Sequence, residues 1–210
     1  MIDEEIDGTK LKILQKVRDL FLSQGYHAVT MTGIANACGL TRRALYHHFH
    51  SKEEMLRGLL VLANRQARDN ADWAAQKALA RDAGALDVVA EWLDSRFGNT
   101  RRAIGRAAHG DELNEVAFRI GNDIIIEVSR ETNARLAALL EELCRRGKLV
   151  LNSGRTTAQL AAIIGDGARG VNQLRPPVPH GEIGPRYRQI TEAILFGSAR
   201  VEPDRSRPPF

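Results

Sequence analysis

Proline is missing from the first 175 residues; all seven prolines, at 176, 177, 179, 185, 203, 208 and 209, come later. Because proline interrupts the hydrogen-bond ladder of a helix interior, so long a stretch without it permits uninterrupted helices. The same stretch is poor in Val-Thr-Tyr alternation and rich in Ala, Leu, Arg and Glu, which predicts an all-helical fold without strands. Cysteine is scarce too. Cys38 and Cys144 stand far apart, with neither the density of a disulfide framework nor metal-ligand spacing, as expected in a reducing compartment. No run of about 18 apolar residues offers a membrane span. The opening MIDEEIDGTK is acidic where a secretory signal would be basic and then apolar. A soluble, cytoplasmic chain with no membrane partner is the expectation. The net charge of +4 over 210 residues permits nucleic-acid binding without establishing it, so the local distribution of charge decides.

Helical punctuation divides the chain. After a polar arm over residues 1–8, a first helix is predicted from about Thr9 to Gln24. Leu11, Leu14, Val17, Phe21 and Leu22 are spaced for its buried face, and Gly25 is placed to end it. Thr30 can cap a short second helix, Gly39-Leu40 makes a tight turn, and Thr41 can cap a third helix running to about Phe49. Ser51-Lys52-Glu53-Glu54 fits a capping box opening a fourth helix that continues to about Ala80. Further helices are expected over 85–106, 111–146 with a break near Gly121, 156–175 and 185–199. The charged, proline-rich segment 203–210 reads as a disordered tail.

Two short helices joined through a glycine turn, the second opening on basic residues, have the form of a helix-turn-helix. Ile34, Ala35, Leu40, Leu45 and Phe49 can form the small core that sets the angle between them. The exposed side of the third helix offers Arg42, Arg43, Tyr46 and His47. From residue 41 to 52 there are three Arg/Lys and no acids, the local excess that a phosphate surface selects. His47, His48 and His50 do not make a metal site: consecutive residues diverge on a helix, and no cysteine or carboxylate nearby completes a tetrahedron. No cofactor is expected.

The stretch GYHAVTMTGIANACGLTRRALYHHFHSKEEML resembles the DNA-binding signature of the TetR family of transcriptional regulators. The likeness is strong over about residues 10–57 and elsewhere extends only to helical character, length and the position of breaks. It implies a three-helix DNA-binding domain over 9–50, followed by a helical effector-binding and dimerisation domain over 51–202. It also implies residue roles. Thr30 stands at a phosphate-ligand position, Thr32 where members reach a base or the backbone, and Thr41 at the start of the recognition helix. Arg42 and Arg43 are that helix's first exposed residues, while Tyr46, His47 and His48 match an aromatic-histidine run that touches backbone and groove. Lys52 matches a phosphate-binding lysine. Two positions depart from the pattern: Met31 replaces a common second threonine, and Arg43 stands where many members carry glycine.

For the second half the resemblance implies a homodimer built from the last two long helices, through Leu160, Ile163, Ile164, Gly167, Val171, Leu174, Ile190 and Ile194. Glycine inside a helix costs about 1 kcal/mol, so Gly167 there points to close backbone approach. The middle helices are expected to enclose a small-molecule effector. Trp92, Arg96, Phe97, His109, Phe118 and Asn122 are candidate lining residues, being aromatic or polar at central helix positions. The expected function is a ligand-responsive repressor on a palindromic, double-stranded operator. An activator of the same fold is the alternative. A helical enzyme would need an unrecognised site, since no nucleophile elbow, phosphate loop or H-E-x-x-H is present.

Overall fold

The computed structural model describes residues 7–197 except 153 and 175. The expected tail at 203–210, most of the expected arm, and the end of the helix expected to reach 199 lie outside the described residues. Ten α-helices follow one another, with no strand among the described residues. The first four are α1 (Gly8–Gln24), α2 (Met31–Ala37), α3 (Arg42–His48) and α4 (Lys52–Ala80). Their starts follow from short polar side chains that take up otherwise unpaired amides. Asp7 Oδ1 accepts from the amides of Thr9 and Lys10, both at 2.8 Å. Thr30 Oγ1 accepts from Gly33 at 3.0 Å, Thr41 Oγ1 from Ala44 at 3.1 Å and Ser51 Oγ from Glu54 at 3.1 Å. The return bond from Glu54 goes to the amide of His50, at 2.6 Å, one residue ahead of the cap, so the expected box at Ser51 is opened by one position.

Ile13, Leu14, Val17 and Phe21 of α1 pack with Ile34, Ala35, Leu45 and Phe49 into a first core. Ile13 takes the place expected of Leu11, which is exposed because 3.6 residues per turn carry it to the edge of that face. This core begins before residue 50 and is completed after it, by Met55 and Leu56 of α4 and by Val116 from further along the chain. Helix α4, 29 residues and about 43 Å long, then enters a second core through Ala71, Ala75 and Ala78.

The rest of the chain forms α5 (Ala85–Leu93), α6 (Asn99–Arg106), α7 (Gly110–Ile120), α8 (Asn122–Arg145), α9 (Thr157–Asn172) and α10 (Ile183–Phe196). The single helix expected over 85–106 instead contains a π-turn at Asp94–Gly98, where the Asn99 amide reaches the Asp94 carbonyl, five residues back. Asp94 receives both Arg102 guanidinium nitrogens, at 2.8 and 3.0 Å, across this turn. The break near Gly121 is present, between α7 and α8. Between α6 and α7, any Cβ on Gly110 would strike the Ile104 carbonyl, so only glycine permits the reversal. Helix α9 opens on a complete capping box of Thr156 and Gln159. The second core joins α5, α8, α9 and α10 to α4 through Val88, Val89, Trp92, Leu136, Leu140, Leu143, Ala161, Ile164 and Tyr187.

The apolar stripes of α9 and α10 meet each other within the chain. Leu160, Ile164 and Val171 are buried in the second core, and Ile190 and Ile194 are partly buried against it. Within the chain, a Cβ on Gly167 would meet Ile190 and Ile194 of α10. Ile163 and Leu174 stay outside, 41% and 45% exposed.

Candidate nucleic-acid interface

Helix α3 is held by one buried face and presents the others. Leu45 and Phe49 anchor it to α1 and α2, and its entry is fixed by the Gly39 turn, whose φ of 66° is open to glycine at little cost. With Leu45 inward, Arg42, Arg43, Tyr46 and His47 fall on the outer surface and His48 is half-buried. The Arg42 guanidinium lies 5.9 Å from the Tyr46 ring centroid. Among the described residues no carboxylate comes within ion-pair distance of Arg42 or Arg43. Thr32 is exposed on α2, while the hydroxyls of Thr30 and Thr41 serve their own caps.

Lys52 is engaged in a way its position in the sequence does not reveal. Its ammonium donates to the carbonyls of Tyr26 at 2.8 Å and Val29 at 2.7 Å and sits 4.6 Å from the Tyr26 ring centroid. The Tyr26 hydroxyl in turn donates to Glu53 at 3.0 Å. Burial and this carboxylate both raise the Tyr26 pKa, keeping the phenol a donor. Lys52 therefore braces the turn between α1 and α2 and has one N–H left for another acceptor.

Two further ties join the α1–α3 end to the second half. Arg57 of α4 donates to Asp123 at 2.7 and 2.6 Å and to the Ile120 carbonyl at 2.9 Å. Glu112 accepts from the His27 amide at 2.9 Å and lies 3.2 Å from His109 Nδ1. Any Cβ on Gly25 would meet Glu112 and His109, so that glycine lets α7 close on the end of α1.

The effector candidates are not brought together. Trp92 is in the second core, its indole N–H directed to Asp72 at 3.3 Å. Phe97 packs toward Tyr187, with ring centroids 6.4 Å apart. His109 belongs to the Glu112 tie, and Phe118 and Asn122 are exposed because α7 turns Val116 and Ala117 inward. Arg96 lines a recess between α4, the π-turn and α8 with Asn64, Arg65, Arg68, Val128, Glu131, Thr132 and Arg135. Sequence reasoning missed these neighbours, whose charged side chains read as a solvated face. The 4-residue spacing of Asn64 with Arg68 and of Val128 with Thr132 was the available signal. Cys38 is packed among the residues of the first core, where burial raises its thiol pKa. No cluster of three metal-ligating side chains occurs among the described residues.

Residues 13–59 match the sequence model described as bacterial regulatory proteins, tetR family. The chain is 32% identical over 63 residues to the transcriptional regulator UidR of Escherichia coli K12, covering 30% of this chain and 32% of UidR. It thus spans about a third of the length of that relative. Two solved structures share the fold over nearly their whole length. One is a TetR/AcrR-family regulator from Thermobifida fusca, with a TM-score of 0.63, 21% identity, and coverage of 92% of this chain and 100% of the other. The other is Thermus thermophilus FadR, a repressor in complex with lauroyl-CoA, with a TM-score of 0.61, 17% identity, and coverage of 96% and 100%. The segment that matches this family's model is the one that forms the helix-turn-helix. The chain as a whole has the all-helical fold of that family's regulators.

Proposed function

We propose that the chain is a ligand-responsive transcriptional regulator, a cytoplasmic homodimer that represses by occupying a palindromic operator and leaves it when a small molecule binds. The observation that carries this is α3, held by Leu45 while Arg42, Arg43, Tyr46 and His47 face outward without carboxylate partners. A helix of this kind fits the major groove, where an arginine can pair bidentately with guanine O6 and N7. Thr32 and the α3 residues are assigned to the groove and the adjacent backbone. Thr30, Thr41, His48 and the remaining Lys52 N–H are assigned to phosphates. The alternative sign, activation, depends on where the operator lies and not on the fold.

One head binds one half-site, so a second copy supplies the symmetry. The outer surface of α9 and α10, with exposed Ile163, Leu174 and Phe196, supports pairing there. Leu160, Ile164, Gly167, Val171, Ile190 and Ile194 then act from beneath, holding the two helices side by side. The effector belongs to the second half, around Arg96. Helix α4 takes part in both cores, so a ligand that prefers one placement of α4 biases the heads. Selection of random duplexes by the purified chain tests the function: a recovered palindrome is expected. Retention of every duplex alike, or of none, contradicts it.

A further inference from the structure

The recess between α4, the π-turn and α8 is lined by Arg68, Arg96 and Arg135 together with Glu131. Glu131 is already engaged, accepting from Arg68 at 3.1 Å and from Arg135 at 3.0 Å. Although burial raises its pKa, these two bonds hold it below the ordinary carboxylate range, so it stays charged. Arg135 also donates to Asp72 at 2.6 Å and Arg68 to Asp69 at 3.0 Å.

Arg96 has no such partner. It is 6% exposed, and among the described residues no carboxylate lies within ion-pair distance of it. Its bonds go to neutral oxygens: Nε and Nη2 donate to Thr132 Oγ1 at 3.3 and 3.1 Å, and Nη2 to Asn64 Oδ1 at 3.1 Å. Both acceptors are fixed from behind. The Thr132 hydroxyl donates to the Val128 carbonyl at 2.6 Å and the Asn64 amide to the Leu60 carbonyl at 2.8 Å. They hold the guanidinium in place without neutralising it. Burial pulls its pKa down to about 10, which leaves it charged at neutral pH. Nη1 has no hydrogen bond, and no sealed side-chain polar atom among the described residues lacks a partner, so Nη1 opens onto the recess. The π-turn contributes directly, because an extra residue in the turn rotates the side chains that follow, and such turns recur at functional sites.

A buried cation held by neutral groups is unfavourable until an anion meets it. We propose that the effector is an organic anion whose oxyanion head, carboxylate or phosphate, is received by Arg96 Nη1, with Arg68 and Thr132 beside it. This rests on the reading that the second half binds an effector. The enclosed space is about 10 Å³, that of one water, and the recess measures about 340 Å³ with its open mouth. The body of the anion must therefore part α4 from α8, lying along Val128 and the methylene stems of the arginines.

Thermal unfolding of the full chain in chloride buffer, with sodium octanoate, octyl phosphate or neutral octanamide as probes, tests the proposal. At one concentration common to the three probes, ten times the dissociation constant of the tighter anion, that anion raises Tm by about 4 °C, and octanamide by much less. The larger of the two anion shifts identifies carboxylate or phosphate as the head. The shift disappears in Arg96→Gln and shrinks in Arg68→Gln, which keeps the test decisive if the first variant does not fold. Three outcomes overturn the proposal: no shift with either anion, an equal shift with octanamide, or an anion shift retained in full by the variants that fold, which would place the anion on the arginines of α3. Operator retention measured on the same sample separates this failure from failure of the regulator reading, since a chain that holds its operator but ignores both anions is a regulator with a different effector.

Discussion

The two halves of the molecule use arginine in opposite ways. On α3, Arg42 and Arg43 are exposed and unpaired by carboxylates, an arrangement suited to a large, wet, polyanionic surface. In the second half several arginines between packed helices are tied down: Arg57 to Asp123, Arg102 to Asp94, Arg135 to Asp72 and Glu131. Among the described residues Arg96 alone is a buried arginine there, and no carboxylate comes within ion-pair distance of it. An arginine without a direct carboxylate partner lies at the centre of each of the two proposed binding surfaces.

The largest effect that sharpens this contrast is loss of the platform under α3. Leu45→Ala is expected to destabilise the first core by about 2–5 kcal/mol, read by urea unfolding. Operator binding should fall with it, and the second core, which Leu45 does not touch, should keep amide protection in hydrogen exchange. Equal loss of protection in both cores would show that α4 makes them one cooperative unit. Next, Arg43→Ala should cost about 1–3 kcal/mol on the preferred operator and flatten the response to single-base changes. Lys52→Ala should instead weaken all duplexes alike, and Lys52 also braces Tyr26 and Val29, so it lowers Tm as well. Fluorescence anisotropy on an operator and its variants, with melting of the free protein, distinguishes the two. Equal losses on every duplex for Arg43→Ala would remove it from base readout.

The first half was legible because its determinants are local. Thr30, Thr41 and Ser51 cap the helices that follow them, Gly39 turns the chain, and Ile34, Ala35, Leu45 and Phe49 lie within a few turns of one another. The second half was less legible because its determinants are not. The periodicity of 85–106 is helical throughout and does not encode a shift to five-residue hydrogen bonds at Asp94–Gly98. That shift decides where Arg96 points. An apolar stripe such as Leu160, Ile164 and Val171 says that a face is buried but not against what, and here it packs within its own chain. The polar side chains of Asn64, Arg68, Glu131 and Arg135 look like a solvated surface until α4 and α8 are placed together.

Smaller changes probe the second half alone. Thr156→Ala removes the hydroxyl that accepts from the Gln159 amide at the start of α9, while the Thr156 amide that donates to Gln159 stays; the change is expected to cost about 1 kcal/mol, seen in thermal unfolding, with operator affinity unaffected. A pH dependence should mark the Arg57–Asp123 tie. The Arg57 hydrogen bonds pull the Asp123 pKa from the ordinary 3.8 to about 2. A depressed folded-state pKa contributes stability above the unfolded value, which is lost as pH falls from about 4 towards 2. Acid titration of wild type against Asp123→Asn should show a shallower decline for the variant; parallel curves would mean the tie adds nothing.

Guanine methylation interference on the selected operator is the most direct test of α3 in a major groove. N7 methylation places a methyl group in that groove and removes an arginine acceptor. Binding should be blocked by methyl groups in two clusters related by the operator's symmetry, about one helical turn apart or a multiple of it. Undiminished binding to an operator methylated throughout its major groove would mean that α3 and its arginines grip the DNA elsewhere or not at all.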